Sequence, residues 1–258
     1  MKKYMKVLVT IIGMCMLTAF FAGCGSSEKT KEDIQQAGTL VVATSPDFPP
    51  FEYLEGSEVK GIEIEILQQV ASKMGVTLTI KQMDFEAVVP GIQAGKFDVG
   101  ASGITINAKR KQNVDFTVPY FLASQAIVVK ADSPITCKAD LTGKKISVQT
   151  GTTAEDFCSN SGYEVLAFTA NNDAVEALIS GKVEAWVVDN EVALTIAAQQ
   201  GLMVLDEAMT TEPYAFAFAK GSTNLSEEFN KTITAMLQDG TMENIFKKYN
   251  TVFVSPLK

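Results

Sequence analysis

Histidine is absent from all 258 residues. With it go the commonest general base, the commonest metal ligand and every nucleophile arrangement that relays a proton through imidazole. Cysteine is scarce, with four residues and no C-x-x-C pair, so a thiolate zinc site is not supplied. Neither G-x-G-x-x-G nor G-x-x-x-x-G-K-[ST] occurs. Basic residues are outnumbered, 22 Lys and Arg against 30 Asp and Glu, a formal charge of −8. A phosphate-binding surface needs clustered positive charge, so nucleic acid is not expected as a partner. No metal and no cofactor is called for. What remains is a chain that is 47% hydrophobic and 20% charged, long enough for one large domain or two small ones.

The N-terminus reads as a processing segment. Lys2, Lys3 and Lys6 precede Val7 to Ala22, an uncharged run of 16 residues, short for a membrane span and suited to a signal peptide. It ends in FAGC, followed by the polar GSSEKTKED. Small residues before a cysteine resemble a bacterial lipobox, which implies cleavage after residue 23 and lipid on Cys24. Phe21 stands where leucine is usual, so an ordinary signal peptide or an uncleaved anchor stays open. Loss of residues 1–23 removes three lysines and no acid, taking the charge from −8 to −11 over 235 residues. Each buried lipid methylene contributes about 0.8 kcal/mol, and two chains hold firmly where one does not. With Cys15 in the leader and Cys24 lipidated, Cys137 and Cys158 remain, either as a disulfide or as two separate thiols. A bridge closing that loop would contribute roughly 3 kcal/mol.

The rest alternates strands with helices, which indicates sheets covered by helices. Leu40 to Ala43 reads as a strand running into the Pro-rich SPDFPPF. Ile62, Ile66, Val70 and Met74 mark an amphipathic helix closed by Gly75. VTLTIKQ is a strand, a helix follows around Val88 to Ala94, and FDVGAS is the next strand. PGIQAGKFDVGASGIT (90–105) and EALISGKVEAWVVDNEV (176–192) share an outline of helix end, small-Gly-Lys and short strand. Chance C-caps produce that outline, and so do two similar halves facing each other across a cleft. QAIVVKADSP leaves the first half and PYAFAFAKGS returns to it; a single continuous domain is the alternative.

Polar groups collect at element ends. Arg110 follows SGIT and can hold a carboxylate with two parallel hydrogen bonds, or it is a surface residue of KRKQ. Ser102 and Thr105 add hydroxyls, and Gly103 permits close approach to the backbone. After the strand Lys145 to Gln149, Gly151 turns the chain and Thr152 or Thr153 opens a helix; Thr153 is a cap, a carboxylate ligand, or both. Asp189 ends the apolar strand EAWVVD and either caps the next helix or meets a cation. One of Phe48 and Phe51 packs inward and the other can stand over a ligand, with Phe85 a similar candidate. Arginine, hydroxyls and a helix start suit a carboxylate, a lone aspartate suits an ammonium, and phenylalanine faces suit an aliphatic stem. Together they describe an α-amino-acid zwitterion.

From Gly38 to Tyr249 the sequence resembles the polar amino-acid solute-binding proteins of ABC importers. The matching pieces are ATSPDFPPFEY, GIEIEIL, VPGIQAGKFDVGASGITINAKRKQNVDFTVPYF, VQTGTTAEDF, VEAWVVDNEVA and DGTMENIFKKY. The resemblance implies an α/β, two-lobed, type II periplasmic-binding-protein-like fold, each lobe a mostly parallel sheet flanked by helices, joined by two hinge strands. The lobes expected are 37–127 with 219–258, and 128–218, after a lipidated linker at 24–36. It implies that Arg110 holds the ligand carboxylate with Thr105 and Thr153, that Ser102 and Asp189 hold the ammonium, and that Gly103 adds backbone groups. Phe48 and Phe85 would line the side-chain pocket. Ser45 stands where several binders of basic amino acids carry Asp. The implied role is a monomeric, lipid-anchored, extracytoplasmic binding protein that delivers a polar amino acid to a permease, not an enzyme. The competing class is an exported prephenate or arogenate (cyclohexadienyl) dehydratase on the same fold. That chemistry needs a general acid beside the leaving hydroxyl, and no residue stands out for it.

Overall fold

The computed structural model describes residues 29–257, so the expected signal segment and Cys24 lie outside the described residues. The first element is α1 (Lys31–Ala37). Thr30 caps it reciprocally with Asp33, Ile34 is buried, and Gly38 ends it at φ 70°. Residues 30–36 of the expected linker thus belong to this capped helix, docked by a capping box and one apolar anchor.

The next elements are β1 (Thr39–Thr44), β2 (Asp47–Phe48), β3 (Glu52–Glu55), β4 (Glu58–Lys60), α2 (Ile62–Met74), β5 (Thr77–Gln82), α3 (Phe85–Gln93), β6 (Val99–Gly100), α4 (Ala108–Lys111), β7 (Val114–Phe116) and β8 (Phe121–Ala123). Then come β9 (Gln125–Lys130), β10 (Lys145–Gln149), α5 (Thr153–Asn160), β11 (Glu164–Phe168), α6 (Asn171–Ile179), β12 (Ala185–Asp189), α7 (Asn190–Gln200) and β13 (Leu202–Val204). The chain closes with β14 (Glu212–Tyr214), β15 (Ala217–Ala219), α8 (Thr223–Gln238) and α9 (Thr241–Lys248).

Two five-stranded sheets organise them, in the orders β5-β1-β6-β15-β7 and β11-β10-β12-β9-β13. In each, the first three strands are parallel and the fourth runs against both neighbours. The two orders match position for position. β6 and β12, which carry the two similar sequence stretches, both occupy the third place, so that similarity marks two halves of one plan. The chain crosses between the sheets at β8 and β14, which pair antiparallel with each other. The expected lobe limits at 127/128 and 218/219 fall inside β9 and β15; the crossings lie a few residues to the N-terminal side of both.

Aromatic packing locks the crossing. Phe51 is fully buried, with ring centroids 5.2 Å from Tyr214, 5.6 Å from Phe121 and 6.1 Å from Phe246. Rings of this size are among the largest apolar contributions a side chain can make, with pair geometry adding about 0.5–1.5 kcal/mol. Cys137 and Cys158 are free thiols, not the disulfide held open above. Cys158 is buried against the second lobe's apolar cluster, whereas the Cys137 sulfur lies 3.6 Å from an Asp140 oxygen at the start of a 3-10 turn.

Candidate functional site

The cleft is built from the ends of strands in both lobes. A narrow cavity of about 20 Å³ lies between Phe48, Phe85, Ser102, Gly103, Thr105 and Arg110 on one side and Gln149, Thr152, Thr153, Asn171 and Asp189 on the other. Asp47 also faces it. All eight residues expected at the site are thus brought to one cavity. Of the two phenylalanines, Phe51 packs inward and Phe48 lines the cavity.

Arg110 sits in the one-turn helix α4, whose start is capped by the Asn107 side chain. The alternative of a surface arginine is set aside, because only 9% of the residue is exposed. Nη1 donates to the Thr105 carbonyl at 3.0 Å and Nη2 to the Gly151 carbonyl at 3.2 Å. Its guanidinium carbon lies 5.3 Å from the Phe85 ring centre. Gly151 belongs to the other lobe, so Arg110 spans the cleft. No carboxylate forms an ion pair with Arg110 among the described residues. A guanidinium carries five N–H donors, and two of them go to carbonyls here, so this buried cation has donors left for an anion.

Asp189 lies at the end of β12, 8% exposed. It stands at the cap position of α7, yet its side chain makes no capping bond. Its Oδ2 instead accepts the Tyr214 hydroxyl at 2.5 Å, and Oδ1 is buried with no donor among the described residues. Burial pushes its pKa up to about 8, with the Tyr214 bond and the Arg110 charge acting the other way. A ligand cation would supply the missing donor and restore the carboxylate.

The Ser102–Gly103 turn closes this side. Gly103 has φ 54°, and a Cβ there would come within 2.7 Å of the Phe48 ring, so both backbone conformation and space require glycine. Its N–H donates to Glu63 at 3.3 Å, which commits that amide to the protein and leaves the carbonyl as the group it can offer a ligand. Thr152, rather than Thr153, caps α5: its hydroxyl accepts from Glu155 N at 3.1 Å. Thr153 is left as the first helical residue, its hydroxyl accepting from Gln125 Nε2 at 3.0 Å, and the first residues of α5 line the cavity, where a helix start suits an anion.

Sequence reasoning passed over Asp47, Gln149, Asn171 and Tyr214. Asp47 Oδ2 accepts the Asn171 backbone N–H at 2.7 Å and lies 3.4 Å from Gln149 Nε2. It thereby caps α6 of the opposite lobe, whose own cap residue, Ala170, has no side-chain acceptor. Asn171 Nδ2 donates to Gln149 Oε1 at 3.0 Å. A polar residue opening a helix straight after a strand end is the signal that marks Asn171 in the sequence; Tyr214 carries none.

The model of the bacterial extracellular solute-binding proteins, family 3, matches residues 40–252. The chain belongs to this family. Among curated relatives, the arginine-binding extracellular protein ArtP of Bacillus subtilis is 31% identical, the match covering 97% of this chain and 99% of ArtP. The probable histidine-binding protein of Campylobacter jejuni is 30% identical over 95% and 99%. Among solved structures, an ancestral arginine-binding protein bound to arginine is 40% identical with a TM-score of 0.78, over 82% of this chain and 98% of that one. The ancestral amino acid-binding protein AncCDT-1, a precursor of cyclohexadienyl dehydratase, is 33% identical with a TM-score of 0.80, over 85% and 98%. The two-lobed fold and the membership in the solute-binding proteins expected from sequence are therefore established.

Proposed function

We propose that this family 3 solute-binding protein captures a polar α-amino acid between its lobes and delivers it to the permease of an ABC importer. One observation carries the reading. A single cavity holds a buried arginine and a buried aspartate oxygen that have, among the described residues, no anionic partner and no donor respectively. A zwitterion satisfies both, its carboxylate on Arg110 beside Thr105 and the start of α5, its ammonium on Asp189, Ser102 and the Gly103 carbonyl. Phe48 and Phe85 take the aliphatic stem. Asp47, Gln149 and Asn171 remain for the distal group, which favours a side chain rich in hydrogen-bond donors. Ser45 is not the acid found in several binders of basic amino acids, but Asp47, two residues on, brings a carboxylate to the same cavity, 3.1 Å from the Ser45 hydroxyl. The names of the arginine- and histidine-binding relatives fit that reading.

The ligand touches both lobes only when they are closed, so it shifts an open–closed equilibrium by its differential contacts. Arg110 to Gly151 and Asp47 to Asn171 are the protein's own contacts in the closed form. We further infer lipid anchoring at Cys24 on the extracytoplasmic face of the cell membrane and action as a monomer. Cys24→Ala should move the protein to the soluble fraction, and retention on the membrane would point to another anchor. The dehydratase reading rests on the AncCDT-1 likeness and on Asp189 as a carboxyl that holds its proton; formation of phenylpyruvate from prephenate would favour it.

A thermal-shift screen against the twenty amino acids tests the central reading. A ligand at 100 times its dissociation constant adds roughly 2.7 kcal/mol to stability, so at least one polar amino acid should raise the melting temperature clearly. No shift with any of the twenty would overturn it.

A further inference from the structure

Behind the Ser102–Gly103 turn lie two glutamates that no ligand can touch. Glu52 on β3 and Glu63 in the first turn of α2 are completely buried. No lysine or arginine pairs with either among the described residues. Their carboxyls meet at neighbouring residues of one turn, Ser102 and Gly103. Glu52 Oε1 accepts the Ser102 hydroxyl at 3.1 Å. Glu63 Oε1 accepts the Tyr120 hydroxyl at 2.5 Å and the Gly103 amide at 3.3 Å. The second oxygen of each, Glu52 Oε2 and Glu63 Oε2, is buried with no donor among the described residues.

Two neighbouring carboxylates in a dry site, with no cation paired to them among the described residues, cannot both ionise, because each charge is desolvated and each repels the other. One proton between them removes both problems. We propose that Glu52 and Glu63 hold one proton between them and that this pair positions the ammonium half of the ligand site. Glu52 draws the only proton of the Ser102 hydroxyl. One lone pair of that oxygen takes the Ser45 N–H at 3.1 Å, and a serine hydroxyl has two, so one is left for a ligand ammonium. Glu63 pins the Gly103 backbone through its amide.

The surroundings agree on where the proton resides. Burial first, then the neighbouring carboxyl, holds Glu52 well above the ordinary carboxylate range. Burial also raises Glu63, but its bonds with Glu52, the Tyr120 hydroxyl and the Gly103 amide oppose the rise, so of the two Glu63 is the better placed to carry the negative charge. It lies in the first turn of α2, whose cap residue Gly61 offers no side chain, and the helix N-terminus favours that charge. Of the other titratable groups acting on the network, Asp47 acts on Glu52 and favours retention of its proton, and Asp189 acts on the Tyr120 hydroxyl.

Only the last step, ammonium binding, rests on the amino-acid reading of the cavity; the shared proton does not. Infrared difference spectra at pH 7, wild type minus Glu52→Gln, should show the carbonyl band of a protonated carboxylic acid in the ligand-free protein. Glu52→Gln copies the protonated acid, with an N–H toward Glu63 and an oxygen toward Ser102. It should bind L-arginine or L-glutamine, used as probes, within about threefold of wild type, with any alkaline fall in affinity flattened. Glu52→Gln combined with Glu63→Gln leaves no anion to accept that N–H. It should lose roughly tenfold or more, because a buried polar group is left unpaired. Absence of the acid band at pH 7, or a folded double variant that binds as well as Glu52→Gln, would overturn the proposal. If neither probe binds wild type, the amino-acid reading is at fault and the infrared band still decides the proton, as it does if the double variant fails to fold.

Discussion

Replacing Arg110 with alanine removes a cation that the fold does not need and the ligand does. In the protein it makes two hydrogen bonds to carbonyls and lies over Phe85, with no ion pair to break among the described residues. Burial disfavours its charge and lowers its pKa, with the more distant Glu212, Asp189 and Asp156 offsetting part of that cost. Truncation therefore relieves desolvation while losing two modest bonds, and thermal unfolding should change little. Binding should change greatly. A ligand carboxylate closed into the cleft without its counter-charge costs about 2–5 kcal/mol. At 1.4 kcal/mol per decade that is roughly thirtyfold to several thousandfold in affinity. Arg110→Lys should also bind poorly, since an ammonium keeps the charge and loses the paired geometry. Calorimetry with the amino acid that wild type binds best measures the loss, and circular dichroism melts confirm folding. Affinity for Arg110→Ala within about threefold of wild type would refute the carboxylate assignment.

Three further outcomes follow from the same geometry. Asp189, pushed up to about 8 by burial, holds a proton in the native protein that the unfolded chain releases near pH 4. Its contribution to ligand-free stability is present at low pH and is lost as pH rises through that window. The melting temperature should fall from pH 5 to 8, less steeply in Asp189→Asn, and calorimetry at pH 6 in two buffers should show proton release on ligand binding; proton uptake would contradict this. Asp47→Ala removes a charged cap on α6 across the cleft, a bond worth about 1.5–3 kcal/mol, so affinity should drop about tenfold or more through faster ligand release. An unchanged dissociation rate would show that the contact does not hold the closed form. Both Cys137 and Cys158 should label with iodoacetamide in denaturant without reductant, and Cys158, with its thiol pushed up to about 12, should resist labelling in the native protein; a peptide map showing them joined would refute the free thiols.

Much of the fold was legible because its signals are local. The apolar spacing from Ile62 to Met74 and Gly75 after it fix α2 within one turn of chain, and Gly75 indeed takes φ 73°. The strand 145–149 appears at the expected residues. Arg110, Thr153 and Asp189 stood out because they occupy element ends, where strands deliver ligand groups. The remainder depends on partners far apart in sequence. Asp47 becomes a cap for a helix that starts at Asn171, in the other lobe. Tyr214, read as part of an extended run, matters because its hydroxyl meets Asp189. Glu63 reads as one acid of GIEIEIL, and only folding places it against Glu52, Tyr120 and the Gly103 amide. Thr152 and Thr153 are equal candidates for the cap until the backbone decides between them.

The zwitterion claim is tested most directly by calorimetry with one amino acid and its two blocked derivatives. The amino acid giving the largest thermal shift is titrated into wild-type protein beside its N-acetyl and α-amide forms, which keep the side chain and remove one charge each. Arg110 and Asp189 each lose their partner in turn, at about 2–5 kcal/mol per buried charge left unpaired. The free amino acid should bind, and each derivative should bind at least about thirtyfold more weakly. A derivative that binds as tightly as the free amino acid would show that the cavity does not read both charges of the ligand, and the account of the site would fail.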